Sequence, residues 1–177
     1  MTLGLESGVV RLVPYDSAWP QMFRDEAARI EKFLREHDVQ LALEHMGSTA
    51  VPGLSAKPVL DILAARADTT PRDLAIGAIV AAGYVYRGES GIPGRDFFRR
   101  GDPRSYHIHL TTVDSTFWRE HRAFRDYLRE HAAAAAEYAQ LKAALAQRFP
   151  NDRESYIEGK TEFVRCILAK AAESRLV

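Results

Sequence analysis

The densest run of reactive side chains is Glu44-His45-Met46-Gly47-Ser48-Thr49. A connection punctuated by Pro52, Gly53 and Pro58 follows and carries Lys57, and then comes Asp61 inside the apolar run Val59-Leu60-Asp61-Ile62-Leu63. A strand that ends at Gly47-Ser48 and passes into a turn or short helix suits a phosphate. Glycine lets the anion approach the backbone, and the Ser48 and Thr49 hydroxyls and the free amides at a helix start can donate to it. An aspartate in the middle of a core strand is costly to desolvate unless it meets a cation or hydrogen-bond donors. There it could hold a divalent cation that bridges such phosphates. The competing reading is a tight turn and a capped aspartate, because Gly-Ser followed by a distant Asp is a short pattern.

His107-Ile108-His109 is the second cluster. Two histidines two apart on a strand point the same way, so their imidazoles can join Asp61 around one cation. A His₂Asp set suits Zn²⁺, Mn²⁺ or Fe²⁺ better than Mg²⁺, which prefers oxygen. The alternative is that they line a polar groove, or that one is a general base. Lys57 can pair with a phosphate or neutralise Asp61, or it is a solvated loop lysine. Arg122, Arg125 and Arg129 form a basic helical stripe. Such a stripe is either a solvated face paired with carboxylates such as Asp126 and Glu130, or a set of guanidinium forks turned to phosphate, with Arg125 the candidate. Arg99 and Arg100 point to opposite faces, so at most one reaches the groove. Glu44 and His45 also diverge, and either can enter the site, with a satisfied core or supporting histidine the preferred reading of His45. Cys166 reads as a buried core thiol.

The elements that position these groups are legible from periodicity. Val9–Val13 is β-branched and stops at Pro14, which predicts a strand. Asp16 and Ser17 offer N-cap oxygens to a helix whose apolar stripe is Phe23, Ala27, Ile30 and Leu34. A short strand is expected at 41–46 and a core strand around 59–63. A helix over 71–82 should end at Gly83, and a strand should begin at Tyr84. Residues 96–100 and 106–113 flank Gly101-Asp102-Pro103 and read as an antiparallel hairpin. In its second strand Tyr106, Ile108 and Leu110 share one face and the two histidines the other. From Ser115 onward everything reads as helical in three segments. The first carries Phe117, His121, Phe124 and Leu128, the second Tyr138, Leu141 and Leu145, and the third, past Pro150, Tyr156, Lys160, Phe163 and Ile167. Lys142, Tyr156 and Lys160 either cover the site from the C-terminal side or pack structurally.

Length and composition bound the function. The 177 residues, 46% of them apolar or aromatic, suffice for one domain with a full core. Lys plus Arg (24) equals Asp plus Glu (24), so a generic nucleic-acid binder held by bulk charge is not expected. One cysteine excludes an intramolecular disulfide and a Cys-rich zinc site. No apolar run reaches the ~20 residues of a membrane span, and the first ten residues lack a signal-peptide pattern. A cytoplasmic protein without membrane partners is expected; the oligomeric state is not legible.

The run HMGSTAVPGLSAKPVLDIL, with VRLVPYDSAWPQMFRDEAARI before it and AAGYVYRG, DFFRRG, YHIHL, FWREHRAFRDYLREH, EYAQLKAALA and YIEGKTEFV after it, resembles the bacterial GrpB family. That family is related to the nucleotidyltransferase superfamily. The resemblance implies an α/β (α+β) fold, with a mixed β-sheet nucleotidyltransferase core, flanking helices and a C-terminal helical segment. It implies that Gly47 and Ser48 contact nucleotide phosphates and that Asp61 is the first metal-binding carboxylate. The second carboxylate position of the superfamily holds Leu63, which cannot ligate, so the usual symmetric two-metal clamp is not available. Three functions are expected to compete. The first is a metal-dependent nucleotidyltransferase using a nucleoside triphosphate, a divalent cation (Mg²⁺, Mn²⁺ or Zn²⁺) and an unknown small acceptor. The second is a non-catalytic nucleotide- or phosphate-binding regulatory domain, and the third a metal-dependent phosphoesterase.

Overall fold

The computed structural model describes residues 3–174. Five strands, β1 (Leu41–Met46), β2 (Leu60–Arg66), β3 (Val85–Tyr86), β4 (Asp96–Arg100) and β5 (Tyr106–Thr112), form one sheet in the order β1-β2-β5-β4-β3. β2 pairs with β5 in parallel, and every other neighbour is antiparallel. The sheet is therefore mixed. β2 lies inside it and is covered on both faces, which is why Leu60, Ile62, Leu63 and Ala64 are all fully buried and the strand reads as a continuous apolar run.

The two faces differ. On one, α1 (Trp19–Glu36) and α2 (Arg72–Ala81) bury Ile30, Leu34, Ala75 and Ile79 against Ile62, Phe98, Ile108 and Leu110. The other face carries Asp61, Leu63, His107 and His109. It is covered by α3 (Thr116–Glu130), α4 (Ala132–Arg148), α5 (Arg153–Glu158) and α6 (Thr161–Ser174). Trp118 of α3 packs there on Met46, Leu63 and Ala65. The alternation expected for Tyr106, Ile108 and Leu110 against His107 and His109 is present.

Four expectations are corrected. Residues 9–13 form no strand; only Val13 bridges to Ala56, while the Val10 amide donates to the Pro150 carbonyl. β-branched composition yields to tertiary context, because the backbone of this segment pairs with the loops at Ala56 and Pro150 and not with a strand. Ser17 does not cap α1. Instead Asp16 Oδ1 accepts from the Ala18 amide at 2.9 Å. The third C-terminal segment is two helices, because the chain bends at Gly159–Lys160 between α5 and α6. Cys166 is exposed, one residue and so about 100° round the helix from the buried Ile167.

Candidate functional site

Parallel pairing of β2 with β5 sets Asp61 beside His107 and Leu63 beside His109. Paired residues project to the same face. Asp61 Oδ1 lies 2.9 Å from His107 Nδ1 and 3.4 Å from His109 Nε2. One ligand atom from each of the three residues falls within 4.8 Å of the other two. Burial would raise the Asp61 pKa, but the hydrogen bonds to His107 and His109 outweigh it and hold the carboxyl well below its ordinary range. Burial lowers both histidines, against the pull of Asp61. At neutral pH the cluster is thus one carboxylate and two neutral imidazoles, the protonation state that metal ligation requires. His107 Nε2 is buried without a hydrogen-bond partner, an uncompensated polar atom of the kind found at functional sites.

Gly47 turns the chain from β1 into a 3₁₀ turn at Ser48–Ala50 with φ of +74°, a conformation glycine adopts without strain. A Cβ there would stand 3.0 Å from Asp61 Oδ2. The backbone therefore passes directly over the acid, and the turn and the cluster share one space. Ser48 Oγ accepts a hydrogen bond from Lys142 Nζ at 2.9 Å, and the same ammonium donates to the Ser55 carbonyl.

These groups line a cavity of about 520 Å³, within the usual size range for small-molecule sites. Its wall is cationic. Lys57, Arg95, Arg104, Arg125, Lys142, Arg153 and Lys160 line it, against the carboxylates of Asp61 and Glu120. Lys57 and Lys160 both lie over the Tyr156 ring, at 5.6 and 4.7 Å from its centroid. Burial, with repulsion from the other cations, lowers Lys142 to about 7 and Lys57 and Lys160 each to about 8. The lining also carries aromatic rings, Phe97, Phe117 and Phe124 together with His121, and the Phe117 and His121 rings stack on each other.

Not every candidate converges here. Thr49 is buried and pairs with His45 Nε2 at 2.9 Å, so its hydroxyl serves that histidine. His45 faces α1, stacked on Phe23, and burial lowers it to about 4. Glu44 faces α3 and accepts from Arg122 and Arg125. The Arg125 guanidinium reaches the cavity wall, but all three of its nitrogens are engaged, by Glu44, the His45 carbonyl and Asp126. It ties α3 to β1, and with four of its N–H donors engaged it leaves one Nη2–H, too few for a two-pronged grip on a phosphate. Arg100 turns to Glu26 on the other face, whereas Arg99 lies on the His107 side over Phe97. Leu63 is fully enclosed by Met46, Ala65 and Trp118, so the second carboxylate position is apolar filling. Arg95, Arg104 and Arg153 were not singled out by sequence reasoning. The only available signal was that Arg104 sits three residues ahead of His107 in the hairpin turn.

The lysine cluster makes stability depend on pH. Lys142 is 10.5 in the unfolded reference and about 7 when folded, so between those values the unfolded chain binds the extra proton. Stability then rises with pH through that window. Thermal melts in anion-free buffer are expected to climb from pH 7 to 10, and Lys142→Met to flatten the climb and to raise Tm at pH 7 by roughly 3 °C.

Fold and site together define a mixed α/β protein whose sheet presents one acid and two imidazoles to a cation-lined cavity under a Gly-Ser turn. The chain belongs to the GrpB family: the family model described as GrpB protein matches residues 9–170. It is similar to a UPF0157 protein of Pseudomonas aeruginosa, 39% identical over 167 residues that cover 92% of this chain and 67% of that protein. The crystal structure of conserved protein GrpB from Enterococcus faecalis superposes with a TM-score of 0.82 at 36% identity, covering 94% of this chain and 100% of the other. A dephospho-CoA kinase of Mycolicibacterium paratuberculosis is 28% identical over 184 residues, covering 88% of this chain and 44% of that protein. No helix among the described residues is long and apolar enough to cross a membrane.

Proposed function

We propose that this protein binds a nucleoside triphosphate and, with one divalent cation, transfers a nucleotidyl group to a small acceptor. The observation that carries this reading is the juxtaposition of Gly47 with Asp61 in a cavity lined by lysine and arginine. In the binding step the Ser48 hydroxyl and the Lys142 ammonium take the phosphates, and Lys57 and Lys160 offset the remaining charge. The donor chemistry of Asp61, His107 and His109 fits one cation of the Mn²⁺ or Zn²⁺ type. A cation held there supplies Lewis-acid polarisation of a phosphoryl oxygen. With Leu63 at the second carboxylate position, the charge that a second cation offsets in a two-metal site falls to Lys142, Lys57 and Lys160. The acceptor oxygen bonds to the α-phosphorus, the bond to pyrophosphate breaks, and the acceptor proton leaves to solvent. The aromatic reach around Phe117 and His121 offers stacking surface to a base.

Gly47→Ala tests the reading. A Cβ would force a positive φ on an L residue and press on Asp61 Oδ2, so Mn²⁺-dependent binding of a nucleoside triphosphate should weaken at least ~10-fold by calorimetry. Equal affinity in the two proteins would place the phosphates elsewhere. Tight binding that neither needs a cation nor leads to turnover would instead favour a regulatory phosphate-binding domain.

A further inference from the structure

Away from the cavity, Arg29 and Arg100 pair with Glu26 and Arg72 with Asp96, and on the cavity wall Arg125 pairs with Glu44 and Asp126. Other cations of that wall are not so matched. Among the described residues, Lys57, Arg104 and Arg153 have no carboxylate partner, and the side chains of Arg104 and Arg153 make no hydrogen bond or ring contact either. Arg104 is only 8% exposed. A guanidinium held that deeply without a counter-ion in contact costs stability; its pKa is lowered by burial first and then by repulsion from Arg153 and Arg99, against a weaker attraction from Asp61 and Glu6. The turn that carries it is pinned by the Leu5 amide donating to the Arg104 carbonyl at 3.1 Å. Arg153 opens α5, and Lys57 precedes β2.

This group is not the Ser48 corner: Ser48 follows β1 and Arg104 precedes β5, with β2 and its Asp61 between them in the sheet. In keeping with that, Lys142, which bonds Ser48, is repelled by Lys160 and Lys57, whereas Arg104 is repelled by Arg153 and Arg99. Lys57 and Lys160 adjoin both groups, since each acts on Lys142 and each meets Arg153. One cavity therefore offers two places where negative charge is wanted, with Asp61 and its histidines between their influences.

We propose that Arg104, Arg153 and Lys57 form a second anion subsite, separate from the Ser48–Lys142 corner, that receives the phosphate monoester of the acceptor. A dianion is the better match: a carboxylate leaves two of the three cations uncompensated, whereas a phosphate monoester carries nearly two charges and three oxygens for guanidinium forks. The acceptor role rests on the proposed transfer reaction; the subsite itself does not.

The test titrates inorganic phosphate into the ¹⁵N-labelled full chain and follows the arginine Nε–Hε signals and the Ser48 amide, with acetate at matched ionic strength as control. The Arg104 and Arg153 signals are expected to move along one saturation curve with phosphate and not with acetate. Arg104→Met or Arg153→Met should weaken that curve about tenfold, and Ser48→Ala should leave it in place. The Ser48 amide should follow a different curve that survives Arg104→Met. Because Arg104→Met removes an unpaired buried cation, it should melt at or above the wild-type temperature, which separates lost binding from lost fold. No movement with phosphate, equal movement with acetate, or one shared curve that either substitution abolishes would overturn the second subsite. Loss of the Ser48 response alone would overturn the Gly47–Ser48 phosphate reading and leave the second subsite standing.

Discussion

Asp61→Asn is expected to lower Mn²⁺ and Zn²⁺ affinity by about 100-fold or more, measured by calorimetry on protein prepared without a histidine tag. Loss of a supporting partner around a metal already costs 10–100-fold, and Asp61 is the only carboxylate of the cluster. The amide keeps the volume and can still meet the two imidazoles, so the fold should persist and circular dichroism should be unchanged. The substitution removes the negative charge that both His107 and His109 face at 2.9 and 3.4 Å. Without that charge, a divalent cation would have to be held by two neutral rings against Lys57 and Arg95 nearby. Unchanged cation affinity in Asp61→Asn would remove the cluster from the mechanism.

Leu63→Asp is expected to destabilise the protein by about 4 kcal/mol, lowering Tm by roughly 10 °C, without creating a second cation site. Leu63 is fully buried among Met46, Ala65 and Trp118. A carboxylate there loses the apolar contacts and meets no donor. His109, its neighbour across the β2–β5 pairing, already turns to Asp61, and Glu44, across the β1–β2 pairing, is itself an acid. Urea denaturation read by Trp118 fluorescence checks the energy, and metal analysis after Mn²⁺ dialysis checks the stoichiometry. A stable variant holding two Mn²⁺ per chain would mean that the position is an unused ligand site rather than core.

How far the site can be read from sequence depends on which residues are asked about. Leu41–Met46 carries its own boundary, because Gly47 ends it, and the hairpin strands are bounded by Gly101-Asp102-Pro103. The common face of His107 and His109 follows from a two-residue period and needs no tertiary information. That Asp61 meets them does need it. The parallel register of β2 on β5 is set by packing on both sheet faces at a sequence separation of 46, and no local signal encodes it. Arg125 was ambiguous for the same reason: its stripe is equally compatible with phosphate and with Glu44, and only the approach of α3 to β1 decides. Arg104 and Arg153 come from a turn and a helix start, where charged residues are ordinary and periodicity says nothing. Residues 9–13 show the converse failure, a strand-like composition with no strand partner available.

The most direct test of the central claim, that phosphate and cation meet in one cavity, is a crystal of the full chain soaked with Mn²⁺ and a non-hydrolysable nucleoside triphosphate. Anomalous scattering should show a single Mn²⁺ bound by Asp61, His107 and His109, with a phosphate oxygen on the ion and a second one on Ser48 and Lys142. Manganese absent from the three side chains, or a triphosphate bound away from Gly47 and Ser48, would contradict it.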